Sequence, residues 1–431
     1  MAPKDKKKSH WAWIILAACL GTLFINYSVR LGYGVVLPEM IRVLDLDRTS
    51  GGFIFNSFLF VYIFLTPLCG YLTDRVGARV VMTISIFILG VGTFLMGRAE
   101  TLFSACLAFS VAGFGSAGMW TPAVTLVIKW FSPNRRGLAL GILTTGTGLG
   151  FASTGIVFPW IIHHLSYNYV WFLLGTGAFV MAFINGLLLR SSPEGAGCTP
   201  WGQSKNFIHK GKAELTFSDR NLSFTAIFHN PNFWVIGLSY FCISYALYGI
   251  TTFMVDFARY QLGMSLESAG LLATLHGITQ IIGVLTLLPC SDFWGRKRTV
   301  LFSNFSISVA LFGVLLAGSS LKMVFIFIGV MALFYGPTFA MYSACAGDYF
   351  PRNMIGSVVG AWTSFYGIGA ILVHWITGIL RDRTGVYDLA FLINAVMAIT
   401  GLLLFFFVKK QTDKEVISRP ANNPLLKDFR L

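Results

Sequence analysis

The sequence predicts an all-α membrane protein: twelve transmembrane helices arranged as two pseudo-symmetric six-helix bundles. Two observations carry this. The 431 residues are 55% hydrophobic and only 12% charged, about half the charged share of a soluble domain. Twelve apolar stretches follow one another, each near or above the roughly 20 residues that cross a bilayer as a helix.

In order, the stretches run at about 11–40, 51–73, 79–97, 101–129, 137–163 and 169–190, then 232–258, 266–290, 299–318, 322–347, 355–380 and 386–408. The basic N-terminus, 1–10, precedes an apolar run too long for a signal peptide and without a small-residue cleavage site, so the run reads as an uncleaved first helix. The one long polar stretch, 191–231, is the expected linker between bundles at 11–190 and 232–408, and 409–431 forms a polar tail. Asn230-Pro231 supplies an N-cap and a first-turn proline for the seventh helix. Pro122 and Pro337 predict kinks in the fourth and tenth helices.

The net charge of +14 is spread over loops, not gathered in one patch, which argues against nucleic acid as a partner. Of the 32 Lys and Arg, 24 lie on the side of the termini and 7 on the other, and Arg30 completes the total. The positive-inside rule then places both termini in the cytoplasm of a multi-pass protein of the cell (inner) membrane. The seven cysteines show no metal or disulfide spacing. No cofactor is expected, and a monomer in the bilayer is. The absence of a Walker loop excludes an ATP-driven pump, and no hydrolase motif is present.

The halves repeat. Gly70-Tyr-Leu-Thr-Asp74-Arg75-Val-Gly77-Ala-Arg79 ends the second helix, and Ser291-Asp292-Phe-Trp-Gly295-Arg296-Lys297 ends the eighth. Asp74 and Asp292 are 218 apart, as are Gly77 and Gly295. Trp130-Phe131-Ser-Pro-Asn134 recurs 219 residues later as Tyr349-Phe350-Pro-Arg-Asn353. Two unrelated motifs sharing an offset near half the chain indicate duplication, and parallel repeats with a midplane site between them are a known transporter plan.

The Gly-x-Leu-x-Asp-Arg-x-Gly-x-Arg loop and its copy resemble the signature loop of the major facilitator superfamily. The resemblance implies two bundles around a central cavity and alternating access. It also implies that Asp74, Arg75, Arg79, Asp292, Arg296 and Lys297 latch the cytoplasmic gate, and Arg75 and Arg79 are expected to pair with Asp74 and with lipid phosphates. A purely topological role for these charges is the alternative. The stretch from Gly113 to Gly150, with Gly113, Gly115, Pro122, Lys129, Arg135, Arg136 and Gly141, resembles the monocarboxylate transporter branch and its oxalate/formate relatives, as does Trp11-Ala-Trp13. That likeness implies a small carboxylate substrate, often moved with a proton. The branch's charged pair in the eighth helix is missing, since Gln280 and Val284 stand at those positions.

Arg30 is the expected centre of the site. A charge in mid-helix costs roughly 2.5–3.5 kcal/mol on insertion scales, so it needs a partner or a function. Asn26, Tyr27, Arg30 and Tyr33 fall on one helical stripe, and a guanidinium binds a carboxylate through two parallel hydrogen bonds. A strut between helices is the alternative. His276, at similar depth, is the candidate for proton coupling; Gln280, one turn on, is expected to donate to the substrate; Tyr335 and Tyr248 complete the lining. Aligning Glu39 with Asp256 sets Leu247 opposite Arg30, and that apolar position favours a singly charged ligand. The expected function is secondary transport of a small organic anion, most simply a monocarboxylate, with proton symport as an option. Exchange of dicarboxylates or organophosphates, and a non-transporting sensor, are the rivals.

Overall fold

The computed structural model describes residues 10–202, 228–318, 320–350 and 355–409. The expected segments 1–9, 203–227 and 410–431 lie outside the described residues, as does the side chain of Asp292. Twelve helices among the described residues are long and apolar enough to cross a membrane. The first half comprises α1 (His10–Val43), α2 (Arg48–Val76), α3 (Ala78–Met96), α4 (Leu102–Ala117), α5 (Trp120–Trp130), α6 (Pro133–His164) and α7 (Tyr167–Leu188). The second comprises α8 (Pro231–Tyr260), α9 (Leu266–Trp294), α10 (Arg296–Leu316), α11 (Leu321–Tyr349), α12 (Ile355–Thr384) and α13 (Asp388–Phe406).

Helix starts follow capping chemistry. The side chains of Asp47, Thr101, Ser265 and Asn230 each accept from a backbone N–H in the first turn of the helix that follows. The duplicated turns are equivalent in geometry as well as sequence. Gly77 and Gly295 both have positive φ, +99° and +86°, a backbone region that disfavours any side chain.

The fourth span is two helices, α4 and α5, and the break falls at Gly118-Met119, not at Pro122 where the kink was expected. The proline acts upstream of itself: lacking an N–H, it leaves the Gly118 carbonyl without its helical donor. At the other expected kink, α11 runs unbroken through Pro337.

Residues 191–202 begin the linker yet pack onto the first half. Trp201 pairs with Phe131 in a parallel bridge, and its indole meets Trp13 edge-on with ring centroids 5.1 Å apart.

The halves meet closely through α6 and α9, where opposed glycines replace side chains. A Cβ on Gly155 would collide with the Gly270 carbonyl and one on Gly270 with the Gly155 carbonyl; Gly148 and Gly277 oppose each other likewise. Small residues let membrane helices approach to backbone contact.

Candidate functional site

At the end remote from the termini, polar side chains tie the halves together. Asp256 of α8, fully buried, accepts from Arg48 Nε of α2 at 3.3 Å and from the Tyr387 hydroxyl at 2.5 Å. Glu39 of α1 holds Arg259 of α8 as well as its own neighbour Arg42. Asp382 of α12 accepts from the backbone N–H groups of Arg48 and Thr49 at 3.0 and 2.8 Å, a carboxylate set on the N-terminal end of α2 where the helix dipole favours it. His163 of α6 lies 3.4 Å from Glu267 of α9.

At the opposite end, Arg75, Arg79, Arg296 and Lys297 each make a contact within their own half. Arg79 Nη2 donates to the Gly186 carbonyl at 2.5 Å, Arg75 lies over the Tyr71 ring, and no ion pair to Asp74 is present among the described residues. Arg296 pairs with Asp348 at 2.8 Å, while Lys297 donates to the Phe406 and Val408 carbonyls that end α13. The Asp74 pairing is thus corrected. The positive-φ turn at Gly77 starts a new helix, which aims Arg79 at α7 and away from Asp74. In this conformation polar ties between the halves are made at the far end, and Arg79 and Lys297 fasten helices inside their own bundles.

Midway along the seam lies Arg30, 4% exposed. Its Nη2 donates to the Tyr248 hydroxyl of the other half at 2.5 Å, and Tyr366 donates to the same oxygen at 3.1 Å. The guanidinium carbon sits 4.6 Å from the centre of the Tyr62 ring and 5.9 Å from that of Tyr27, a cation–π arrangement. Among the described residues no carboxylate pairs with Arg30 and its Nε has no hydrogen-bond partner. The residue facing Arg30 is Tyr248, not Leu247. The two lie 218 apart, the offset of the duplicated loops; the Glu39–Asp256 alignment had slipped by one.

Of the other expected site residues, Tyr335 lies beside Tyr248, with ring centroids 6.5 Å apart, and meets His276 at 4.8 Å. Asn26 is buried with its Oδ1 unpartnered. Tyr33 is a correction: its hydroxyl donates to the Gly51 carbonyl at 2.6 Å, and its ring stacks on Phe109. Packing inside the first half claims it. Gln280 is also revised, because its amide donates to Thr147 Oγ1 at 3.1 Å and only its Oε1 is left unpartnered. His276 is wholly buried, with Nε2 3.3 Å from Thr251 Oγ1.

Two residues escape sequence reasoning. Tyr62 on α2 caps the Arg30 guanidinium, and only its hydroxyl at span-centre depth marks it. His374 on α12 joins the halves, with Nε2 2.8 Å from Thr252 Oγ1 and Nδ1 3.1 Å from Asn56 Oδ1. Asn56 gives its amide to the Ile371 carbonyl at 2.9 Å, so its oxygen faces the ring and Nδ1 bears the hydrogen.

Two bundles related by duplication, clasped at one end and meeting around a buried cation, define a polytopic membrane transporter and not an enzyme. The sequence matches the family described as Major Facilitator Superfamily over residues 19–267 and again over 236–430. The chain belongs to that superfamily. Among its relatives, the probable galactarate/D-glucarate transporter GudP of Escherichia coli (strain K12) is 25% identical, covering 93% of this chain and 94% of that protein. The hexuronate transporter of Bacillus subtilis (strain 168) is 24% identical over 92% and 93%, and the D-galactonate transporter of Escherichia coli O6:H1 is 23% identical over 92% and 95%. The fold is similar to a bacterial homolog of the human lysosomal transporter Spinster in an inward-facing, unoccupied conformation, with TM-score 0.71, 15% identity and coverage of 92% and 96%.

Proposed function

We propose that the protein is a secondary transporter of an organic anion that presents one carboxylate to Arg30, and that it works by alternating access. The observation that carries this reading is a cation buried at the seam of the two halves with no acidic partner among the described residues. Its Nε is still without an acceptor, and a buried, uncompensated guanidinium is expensive unless a ligand supplies the charge. The names of its relatives, carriers of hexuronate, galactonate and galactarate/D-glucarate, make sugar acids the first substrates to test; hexuronate and galactonate carry one carboxylate, galactarate and D-glucarate two. Tyr248, which faces Arg30, and the buried Val284 carry no positive charge, which favours a singly charged ligand over a dicarboxylate or an organophosphate.

Both termini are proposed to face the cytoplasm of the cell membrane, from the loop charges. The conformation clasped at the far end is then the inward-facing one. The proposed cycle needs no proton on His276, whose Nε2 lies 3.3 Å from Thr251 Oγ1; symport of a proton through that ring is the alternative.

The test is uptake into proteoliposomes of D-galactonate and D-glucuronate by the wild type and by Arg30→Gln. The expected result is saturable uptake by the wild type and loss of at least roughly a hundredfold in kcat/KM for the variant, about what removal of a buried charged hydrogen-bond partner costs. Unimpaired uptake by Arg30→Gln would refute the anchor.

A further inference from the structure

His276 and Gln280 stand one turn apart on the same face of α9, and the hydrogen bonds around them fix what each still offers. Thr251 Oγ1 lies 2.8 Å from the Leu247 carbonyl, a contact that takes its single hydroxyl hydrogen. Toward His276 Nε2, 3.3 Å away, the same oxygen therefore accepts. The imidazole is thus the Nε2–H tautomer, and its Nδ1 carries a bare lone pair with no partner. The same reasoning applies one turn on. Thr147 Oγ1 spends its hydrogen on the Thr144 carbonyl at 2.8 Å, so it accepts from the Gln280 amide, and the Gln280 Oε1 is left as a second unpartnered acceptor.

Both side chains are more than nine-tenths buried. A buried acceptor without a donor costs free energy in any folded state, and native interiors rarely leave two side by side. The pair adjoins the Arg30 site through Tyr335, whose ring touches that of His276 and neighbours that of Tyr248. The ring of Phe151, 5.0 Å away across the seam, covers the other side of His276.

We propose that His276 Nδ1 and Gln280 Oε1 form a neutral hydroxyl-reading subsite, and that the transported anion is polyhydroxylated. This inference rests on the anion reading above and names the part of the substrate that Arg30 does not touch. Two acceptors on successive turns call for two donors and no charge, as the hydroxyls of a sugar acid supply. A simple alkyl carboxylate would satisfy Arg30 and leave both acceptors unpaired. Sites built to hydrogen-bond a substrate hydroxyl discriminate strongly against analogues that lack it.

The experiment measures the affinities of D-galactonate and butyrate for the full chain in nanodiscs by titration calorimetry, in wild type, Arg30→Gln, Gln280→Met, His276→Phe and His276→Asn. Galactonate is expected to bind the wild type at least roughly tenfold more tightly than butyrate. Gln280→Met keeps the side-chain length and removes the acceptor, and His276→Phe removes the lone pair; each should weaken galactonate about tenfold and leave butyrate unchanged. His276→Asn keeps an acceptor oxygen near the Nδ1 position and should retain most of the galactonate affinity. Unchanged butyrate binding also reports that each variant is folded. Equal affinities of the wild type for the two probes, no galactonate binding, or equal losses of both in Gln280→Met and His276→Phe would overturn the subsite. Binding of both probes left intact by Arg30→Gln would instead overturn the anion anchor beneath it.

Discussion

Arg30 and Tyr248 occupy equivalent positions in the two halves, 218 residues apart, and touch each other across the seam at 2.5 Å. One ancestral helix position has thus become a cation in the first bundle and its hydroxyl partner in the second. Because the contact lies midway between the clasped and unclasped ends, a rocking motion of the bundles would change it less than any contact nearer either end. A fixed point of this kind suits a substrate anchor that serves both faces in turn.

In the proposed site Tyr248 acts on the substrate through Arg30, holding one arm of the guanidinium while Nε stays unpaired. In Tyr248→Phe the ring remains and the hydrogen bond is lost, along with the Tyr366 tie. A hydrogen bond to a charged group contributes about 1.5–3 kcal/mol, and part of this is recovered by reorientation of the arginine. The expected outcome is KM for the transported anion raised by roughly five- to twentyfold with kcat within about twofold, read from proteoliposome uptake. A fall in kcat with constant KM would place Tyr248 in the conformational step instead.

The far-end clasp should set which face is open. Asp256→Asn keeps the volume and the hydrogen bond from Tyr387 but leaves Arg48 without its counter-charge. Arg48 is partly solvated, so the loss is of order 1–3 kcal/mol, below that of a fully buried pair. That is enough to turn a minor population open at the far end into a substantial one. Spin labels placed on the ends of α2 and α12 should report a longer distance in the variant. An unaltered distance distribution would assign the pair to folding alone. The third member of this cluster, Tyr387 in the loop before α13, has its phenol pushed well above its usual range, by burial first and by Asp256 second. A raised value means that the folded state holds the proton more firmly, so the tie is fully present below about pH 10 and is lost as pH rises beyond it.

If His276 is a neutral acceptor, the pH dependence of transport does not originate there. Its two nitrogens have fixed roles, one donating to Thr251 and one aimed at a substrate hydroxyl. His276→Asn should therefore leave the shape and midpoint of the pH profile of galactonate uptake unchanged between pH 5 and 8, the range in which an ordinary histidine titrates. A flattened profile would restore His276 as the coupling group.

The fold was legible because its signals are local. Apolar length marks each span, and the Asp74 and Asp292 loops expose the duplication at a fixed offset. Arg30 stood out as a charge where charges are costly. What escaped is what pairs over long separations. Nothing in the periodicity of α2 or α12 links Asn56 to His374, 318 residues apart, or Arg48 to Asp256, 208 apart. Tyr33 was misplaced for the opposite reason: it shares the stripe of Arg30, but a neighbouring carbonyl and an aromatic stack compete for it. Pro122 was expected to kink its helix; the helix instead breaks upstream, at the residue whose carbonyl the proline strands.

The α6–α9 seam carries the last prediction. Gly155 and Gly270 each fit only because they lack a Cβ of their own, and the first obstacle to one is the other's backbone carbonyl, which cannot step aside as a flexible side chain could. Overpacking of a tight contact typically costs about 1–3 kcal/mol, and here it falls on the interface between bundles while each bundle keeps its own core. Gly155→Val should accordingly yield a folded, monodisperse protein whose far end no longer closes. Transport should drop at least roughly tenfold, and a cysteine placed near Arg30 should become reactive to a membrane-impermeant thiol reagent added from the far side. Gly137, which has open space around its Cβ position near the start of α6, is the internal control. Gly137→Val should transport within about twofold of wild type, since a surface substitution away from packed contacts changes stability by about 0.5 kcal/mol or less, and the added helix-propensity effect of replacing a glycine is equally small.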